Sequence, residues 1–249
     1  MKNRFLSVLL LAVITFSGCS DQDDIKEAHK KAHWVYDGDM GPYNWGKISA
    51  TCAEGKSQSP INIITKNVIE LDLENVLAFH ESCKAVLSHE VDNGHAIKIT
   101  PEDDHGISIN GEHYKLLQFH FHGRSENQID GRQFDMEMHL VHQNAKGELA
   151  VVALMIEKGK HNDVYQNVVE HINGGDLDVA TAKLLPDDTS HYYHFIGSLT
   201  TPPCSENVKW YVMKDTIKMS KKQIISFRVH HNYNYRPLQE LNGRKIQSF

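Results

Sequence analysis

The sequence predicts a mainly β fold with short peripheral helices, and three observations support that prediction. Short apolar runs or period-two alternation dominate the middle of the chain, as expected for strands. Turn signals such as Asn110-Gly111 separate these segments, and helical periodicity is rare. No repeat, low-complexity tract or Pro/Ser-rich linker divides the 249 residues, so we expect one domain with one large core behind a leader.

The amino-terminal residues indicate an export signal. Lys2 and Arg4 precede an uncharged apolar run from Phe5 to Phe16. A run of this length suits the core of a signal peptide and is too short to span a bilayer, which takes about 20 residues. We therefore predict a signal peptide over residues 1–18, a polar tether over residues 19–33 and the folded domain over residues 34–249.

The end of this leader, Phe16-Ser17-Gly18-Cys19, is similar to the lipobox of bacterial lipoproteins, in which the cysteine becomes the lipidated first residue. Phe16 stands where such boxes usually carry leucine, so lipidation of Cys19 and ordinary cleavage both stay open. In either case the leader predicts export, to the periplasm or beyond it, in a Gram-negative bacterium. Lipid on Cys19 would anchor the protein to a membrane.

The charge balance argues against one class of partner. Without Lys2 and Arg4, 24 of the 26 basic residues stand against 32 acidic ones, a formal charge of −8 (24 minus 32). An acidic surface does not favour nucleic acid as a partner. The 23% of charged and 40% of hydrophobic residues are ordinary for a soluble globular protein, so composition indicates neither disorder nor a membrane-embedded body.

Three cysteines, Cys52, Cys83 and Cys204, remain after the leader. In an oxidising compartment two of the three can pair, in three ways that spacing alone does not decide. One thiol would then be left over. The alternative is that all three stay reduced and buried as small apolar residues.

The elements follow in chain order from an aromatic, turn-rich segment that begins at Trp34. Because Asn110-Gly111 and residues 145–147 are both turn signals between strands, we predict a largely antiparallel sheet. Helices are predicted over residues 162–172, and from the capping residue Ser220 through Phe227. The predicted strands cover residues 96–99, 106–109, 116–122, 136–143, 149–156 and 209–213.

His120 and His122 alternate with aromatic residues in the third of these strands. Side chains alternate faces along a strand, so the two imidazoles point to the same side and can share one ion. His139 stands in a similar pattern 17 residues later, and a neighbouring strand would supply it as a third ligand. Three neutral nitrogen ligands with a fourth position open to water are typical of a catalytic zinc site, whereas structural zinc sites are closed and usually rich in sulfur.

A His-x-His pair alone is weak evidence, because the chain has 17 histidines. Each segment, however, has a hydrogen-bonding residue two positions before its first histidine: Gln118 before His120, and Glu137 before His139. A ligating histidine needs its second ring nitrogen bonded to an oxygen, which fixes its tautomer and orientation. We therefore predict that Gln118 and Glu137 orient the ligands, although in isolation each would be an ordinary solvated strand residue.

From about Trp34 to Arg244 the chain resembles the α class of carbonic anhydrases, especially its exported bacterial members. The resemblance implies a single domain around a large, mostly antiparallel twisted sheet. It also implies one zinc ion per chain and the reversible hydration of CO2 to bicarbonate and a proton by zinc-bound hydroxide. The residues that carry it are, in order, Tyr36 with Gly41-Pro42 and Trp45, Gln58 to Ile63, Asn93-Gly94-His95, Gln118 to His122, Ser125-Glu126-Asn127, Glu137 to His142, Gly197 to Pro203 and Asn234 to Pro237.

The resemblance assigns roles to further residues. Thr200 matches the family's gatekeeper, whose hydroxyl accepts a hydrogen bond from zinc-bound hydroxide and donates one to Glu126. His95 matches the histidine that shuttles protons, although taken alone a histidine after Asn-Gly is an ordinary turn residue. The resemblance places the apolar substrate pocket at Val141, Val151, Leu199, Val208 and Trp210, and other cavity positions at Tyr36, Asn93 and Thr201.

The resemblance also bears on the cysteines and the partners. Cys52 and Cys204 resemble the pair that many exported bacterial members join as a disulfide, which would leave Cys83 free. The implied partners are CO2, bicarbonate and water, with inhibition by sulfonamides and small anions. A homodimer and a lipid anchor are both left open at this stage.

Two residues depart from the pattern of the family. Gly123 follows the second ligand where relatives often carry bulkier residues, and Lys98 stands at a cavity-wall position that is more often an amide.

One rival hypothesis for the function is a binding module of the same fold, and the intact set of three histidines argues against it. The other is a zinc-scavenging surface protein, for which the scattered histidines supply no clustered tract.

Overall fold

The computed structural model describes residues 34–71, 76–80 and 84–249. The predicted signal peptide, the tether, Cys19 and Cys83 lie outside these residues. The unit from Trp34 to Phe249 is compact by its internal contacts. Within its described part, no helix is both long enough and apolar enough to cross a membrane.

The described residues form fifteen strands, three α-helices and a few short 3-10 turns. The helices are α1 (Thr51–Glu54), α2 (Asp163–Glu170) and α3 (Lys221–His230). The strands are β1 (Asn62–Ile63), β2 (Ile69–Glu70), β3 (Leu77–Phe79), β4 (Val86–Asp92), β5 (Ile97–Pro101), β6 (Gly106–Ile109), β7 (Glu112–His122), β8 (Gln128–Ile129), β9 (Met136–Gln143), β10 (Leu149–Lys158), β11 (Gly175–Val179), β12 (Tyr192–Ser198), β13 (Glu206–Met213), β14 (Ile217–Met219) and β15 (Gln247–Ser248).

All six strands predicted from the sequence are present, and β6 and β9 have the predicted bounds. Asn110 and Gly111 both adopt positive φ angles, 51° and 79°, as the tight hairpin between β6 and β7 requires. The two predicted helices are α2 and α3. Ser220 caps α3 in a reciprocal capping box with Gln223, which satisfies two backbone N–H groups at the helix start.

Thirteen strands form one large, twisted sheet in the order β11-β4-β5-β7-β9-β10-β13-β12-β15-β2, with β14 beside β10, and with β6 joining β3 to β7. Most neighbours are antiparallel, which confirms the prediction. Three pairs are parallel, however: β10 with β13, β10 with β14 and β15 with β2. The sheet is therefore mixed, and β1 and β8 form a separate parallel pair.

Alternation along β7 and β9 sends successive side chains into different environments. Phe119 and Phe121 enter a core that α2 and α3 also line, and the ring of Phe121 lies 4.4 Å from that of Phe227 on α3. Val141 on β9 belongs to a second core on the other face of the sheet, together with Trp210 on β13. The helices cover the first face of the sheet. The face that carries the histidines opens to a cavity.

Candidate metal centre

The pairing of β7 with β9 brings the three predicted ligands together. His120 on β7 lies directly opposite His139 on β9, and His122 follows two residues further along β7 on the same face. One nitrogen from each ring can face the others, and these three atoms lie within 4.8 Å of one another. Among the described residues, no other group of histidine, cysteine or carboxylate side chains converges in this way.

The outer nitrogen of each ring has an oxygen partner. Nδ1 of His120 lies 2.9 Å from Oε1 of Gln118, and Nδ1 of His122 lies 2.6 Å from the main-chain oxygen of Asn234. Nε2 of His139 lies 2.9 Å from Oε1 of Glu137, although this contact is not aligned for a hydrogen bond. The structure thus places Gln118 and Glu137 where the sequence prediction needs them, and it adds the Asn234 carbonyl.

These partners determine which nitrogens carry protons. A carbonyl oxygen can only accept, so Nδ1 of His122 donates to Asn234 and Nε2 of His122 offers a lone pair. This Nε2 atom faces Nδ1 of His139 across 3.1 Å, and the tautomer of His139 that suits a metal carries its proton on Nε2, the nitrogen near Glu137. Two nitrogens bound at 2.0–2.1 Å in a tetrahedral zinc site would be about 3.3 Å apart. The donor set therefore fits a zinc ion between the rings.

The electrostatics of the rings agree with this reading. Burial, reinforced by the neighbouring rings, lowers the pKa of His120 and of His139 well below the ordinary value. Burial also lowers the pKa of His122, and the hydrogen bond to Asn234 opposes that effect. The imidazoles are neutral at physiological pH, and neutral imidazole is the form that binds metal.

Glu137 fixes the loop after β7 as well as His139. Its carboxylate accepts hydrogen bonds from the backbone N–H of Glu126 at 2.7 Å and from that of Asn127 at 2.9 Å. The side-chain amide of Asn127 donates a third hydrogen bond at 2.8 Å. Burial raises the pKa of Glu137, while these donors lower it. One carboxylate therefore sets the position of both a predicted ligand and the Glu126 backbone.

Glu126 is buried beside the ligands. Its Oε1 accepts the backbone N–H of Arg236 at 2.8 Å, and its Oε2 lies 3.4 Å from Nε2 of His122. Burial raises the pKa of Glu126 to about 8, and a hydrogen bond from the Thr200 hydroxyl opposes this rise. A cation held by the imidazoles would favour the ionised carboxylate. Thr200 and Glu126 are both buried, and the interaction with Thr200 is one of the causes that lower the pKa of Glu126.

A cavity of about 140 Å³ opens onto His120 and His122. The predicted residues His95, Tyr36, Asn93 and Thr201 all line it, as do Gln118 and Lys98. Trp34 also lines it, a role that was not predicted from the sequence. The lining residues include no carboxylate.

The five predicted substrate-pocket residues are not part of this lining. They pack instead in the apolar cluster on the ligand face of the sheet, where Leu199 is partly buried and the others are buried. Trp210 comes closest to the histidines, with its ring centroid 5.0 Å from that of His139 in an edge-to-face contact. The apolar wall predicted from sequence therefore lies next to the ligands, behind the open part of the cavity.

Comparisons with known proteins agree with this geometry. A family model described as eukaryotic-type carbonic anhydrase matches residues 40–249. The chain belongs to the α-carbonic anhydrase family.

Individual relatives support this membership over the full length. The carbonic anhydrase of Pectobacterium atrosepticum is 37% identical over 99% of this chain and 99% of its own. The solved α-carbonic anhydrase of Photobacterium profundum is 39% identical, with a TM-score of 0.81 over 86% of this chain and 100% of its own. That of Thermovibrio ammonificans, solved with the inhibitor sulfanilamide, is 35% identical, with a TM-score of 0.80 over 86% of this chain and 98% of its own.

His95 of this α-carbonic anhydrase stacks against Trp34. The ring centroids are 3.7 Å apart and the planes differ by 13°. The main-chain oxygen of His95 accepts a hydrogen bond from the side-chain amide of Asn234 at 3.0 Å. Asn93 turns the chain before it, because its side-chain oxygen accepts the backbone N–H groups of His95 and Ala96. The loop that carries His95 is thus tied to the segment that orients His122.

Cys52 and Cys204 form the implied disulfide, with Cα atoms 5.1 Å apart. The bond joins α1 to the loop that begins at Thr200. Arg236, which is 2% exposed, donates to the main-chain oxygen of Cys52 and to Oε1 of Gln58, both at 2.8 Å. Since its backbone also holds Glu126, Arg236 connects the disulfide to the metal centre.

The departure at Gly123 has a steric explanation in the structure. A Cβ at this position would lie 2.2 Å from the main-chain oxygen of His231, closer than any real contact. Asn234 accepts the backbone N–H of Gly123 at 2.6 Å through its side-chain oxygen. The chain after α3 therefore occupies the space that a side chain at position 123 would need.

Proposed function

We propose that this α-carbonic anhydrase catalyses the reversible hydration of CO2 to bicarbonate and a proton, using one zinc ion held by His120, His122 and His139. The observation that carries the proposal is the convergence of the three imidazoles: Nε2 of His122 and Nδ1 of His139 lie 3.1 Å apart, and His120 stands beside them at the wall of a cavity. When bound there, zinc lowers the pKa of a water ligand to near neutrality, a general value taken from carbonic anhydrases, and so supplies a hydroxide nucleophile.

The residues around the rings hold them in place for this chemistry. Gln118, the Asn234 carbonyl and Glu137 each engage one outer nitrogen. This fixes which nitrogen faces the metal and raises the basicity of the ligand. Because all three partners are themselves in strands or in hydrogen-bonded backbone, the ligands are preorganised and do not need to rearrange when metal enters.

Thr200 and Glu126 orient the nucleophile in this proposal. In this proposal the Thr200 hydroxyl donates a hydrogen bond to the Glu126 carboxylate, an assignment supported by the interaction with Thr200 that lowers the pKa of Glu126. A hydroxyl whose hydrogen is committed in this way offers only its oxygen lone pairs to the cavity. Thr200 therefore accepts a hydrogen bond from the nucleophile and directs one of its lone pairs toward CO2.

CO2 is small and apolar, and it has to lie within reach of the metal. We assign the apolar side of its site to the cluster of Val141, Val151, Leu199, Val208 and Trp210. The Trp210 ring, 5.0 Å from the His139 ring, is the part of this cluster next to the ligands. Contact with hydrocarbon favours an uncharged substrate over water at this side of the site.

Each turnover releases a proton, and we assign His95 to its transfer. His95 lines the same cavity as His120 and His122 and lies toward solvent on the turn between β4 and β5. A histidine has an ordinary pKa of about 6.5 and can both accept and release a proton near neutrality. Its stack on Trp34 holds the ring at the edge of the cavity.

A direct experiment tests this function. The purified domain should bind about one zinc per chain, hydrate CO2 in a stopped-flow indicator assay and lose activity on treatment with a chelator. His120→Ala should remove both zinc and activity. His113→Ala is the matched control, since it changes an exposed histidine on the same strand. Zinc-loaded protein with no activity above background would contradict the proposal and favour a binding module.

Two finer points of the proposed function have tests of their own. Sulfanilamide is bound by the Thermovibrio ammonificans relative, and we propose that it inhibits this enzyme too, with inhibition lost in His120→Ala together with the metal. We also propose that residues 1–18 are an export signal. Mass spectrometry of the mature amino terminus, with a search for a lipid adduct on Cys19, tests that proposal and distinguishes lipidation from ordinary cleavage.

A further inference from the structure

We propose that Lys98 is a specificity-determining residue that strengthens the binding of small monovalent anions, bicarbonate among them, at the metal centre. The inference rests on the proposed function, because bicarbonate is the anion that this reaction releases and takes up. The roles proposed for the zinc ligands and for the pair of Thr200 and Glu126 do not require a positively charged side chain at position 98.

The position of Lys98 is fixed by strand pairing. Lys98 on β5 lies directly opposite His120 on β7 in the antiparallel ladder. Directly opposed residues point to the same face of a sheet, with Cβ atoms about 4.5–5.5 Å apart. Both side chains accordingly line the one cavity. The ammonium group is carried on the wall next to a zinc ligand and within reach of a molecule bound at the metal.

The surroundings leave the charge of Lys98 available to a ligand. Among the described residues, no carboxylate forms an ion pair with it, and the residues that line the cavity include none. The two acidic groups behind the ligands are already occupied: Glu137 accepts three N–H donors, and Glu126 accepts the backbone N–H of Arg236. Lys98 is thus the one permanently cationic side chain that lines the described cavity.

The net charge of the whole chain makes the positive charge of Lys98 important for the binding of an anion. The formal net charge is −6 at pH 7, so the long-range field of the protein opposes the approach of an anion. A positive group inside a cavity acts at short range and with less screening than one on the surface. Lys98 lies opposite His120 on the neighbouring strand and lines the same cavity, so an anion bound beside that ring would be attracted by its charge.

The experiment measures the affinity for thiocyanate, a monovalent anion, by isothermal titration calorimetry on zinc-loaded protein. Lys98→Met keeps most of the length of the side chain and removes its charge, and we expect it to weaken thiocyanate binding by about threefold to tenfold at low ionic strength. Lys98→Arg keeps the charge and should bind within about twofold of the parent. Lys115→Met is the matched control, because Lys115 lies on β7 outside the cavity.

Three further readouts distinguish an electrostatic role from a structural one. Thermal stability should be the same in Lys98→Met and the parent, zinc affinity should be equal or higher in Lys98→Met because a repelling charge is removed, and the difference in thiocyanate affinity should shrink as ionic strength rises. Equal thiocyanate affinities for the parent and Lys98→Met would overturn the inference, as would failure of Lys98→Arg to retain the parent's affinity. CO2 hydration by the same parent preparation tests the proposed function separately, so that failure of one does not hide failure of the other.

Discussion

The main-chain oxygen of Asn234 lies 2.6 Å from Nδ1 of His122, 112 residues earlier in the chain. The side chain of the same residue accepts from Gly123 and donates to the main-chain oxygens of His95 and Phe121. Asn234 is buried, with 2% of its surface exposed. The segment after α3 is therefore part of the metal centre, although it contributes no ligand.

The first prediction concerns this segment. Asn234→Ala removes the three side-chain hydrogen bonds and leaves the carbonyl less firmly placed against His122. Loss of a partner that orients a ligand typically costs about 10-fold to 100-fold in metal affinity, and we expect a loss in this range in a competition titration with a chromophoric chelator. Asn232→Ala, at an exposed position two residues earlier, should leave zinc affinity unchanged. An unchanged affinity in Asn234→Ala would show that the backbone alone holds the carbonyl.

The second prediction concerns proton transfer. His95→Ala should slow turnover by about tenfold or more in weakly buffered solution, because a positioned acid–base group is lost. Added imidazole should restore much of the rate, while the zinc content stays the same. His161→Ala changes an exposed histidine far from the cavity lining and serves as the control. Full activity of His95→Ala in weak buffer would refute the shuttle role.

The third prediction concerns pH and Glu90 on β4. This side chain is 4% exposed, both carboxylate oxygens lack a hydrogen-bond partner among the described residues, and burial raises its pKa from 4.5 to about 8. Between these two values the folded state holds a proton that the unfolded state has lost. The free energy of unfolding should therefore fall as pH rises through this window, by up to about 1.4 kcal/mol per pH unit.

Glu90→Gln isolates this contribution. The amide does not ionise, so the variant should lose less stability than the parent between pH 5 and pH 8 in urea unfolding of chelated protein. Glu54→Gln, at an exposed position on α1, should follow the parent's pH dependence. If Glu90→Gln and the parent show the same pH dependence, Glu90 is not protonated in the folded state.

The fourth prediction concerns the disulfide. Cys52 and Cys204 close a loop with a sequence separation of 152, and the chain-entropy account gives up to about 4–5 kcal/mol for a loop of this size. The double variant Cys52→Ser with Cys204→Ser should unfold at a lower urea concentration, and reductant should destabilise the parent but not the variant. Cys83→Ser serves as the control for loss of a thiol. Coincident unfolding curves for the parent with and without reductant would contradict the prediction.

The metal centre could be predicted largely from the sequence because its geometry follows from local periodicity. His120 and His122 share a face since strand residues alternate, and Gln118 shares it for the same reason. Their alignment with His139 needed only that its strand lie beside theirs, which the similar pattern of the two segments suggested. The other predicted strands consist largely of buried apolar residues, and this pattern is also local in the sequence.

Other features depend on contacts between distant parts of the chain, and no local pattern shows them. A main-chain carbonyl such as that of Asn234 is present at every residue, so nothing in the sequence marks it as a partner of His122. The strands β4 and β11 carry many exposed or polar residues and were not predicted. Arg236 carries a charge but is buried, and the main-chain oxygens of Ser59 and Cys52 and the side chain of Gln58 accept from it. Only the fold brings these acceptors together.

The close approach of His231 to Gly123 has a consequence for the evolution of this family. A position that admits no side chain cannot change alone: any substitution at 123 needs the chain after α3 to move outward, and that chain also carries the carbonyl that orients His122. The residue after the second ligand and the path of a segment more than a hundred positions away should therefore vary together among homologues. A homologue with a large side chain at this position should show the segment displaced, or its histidine oriented by another oxygen.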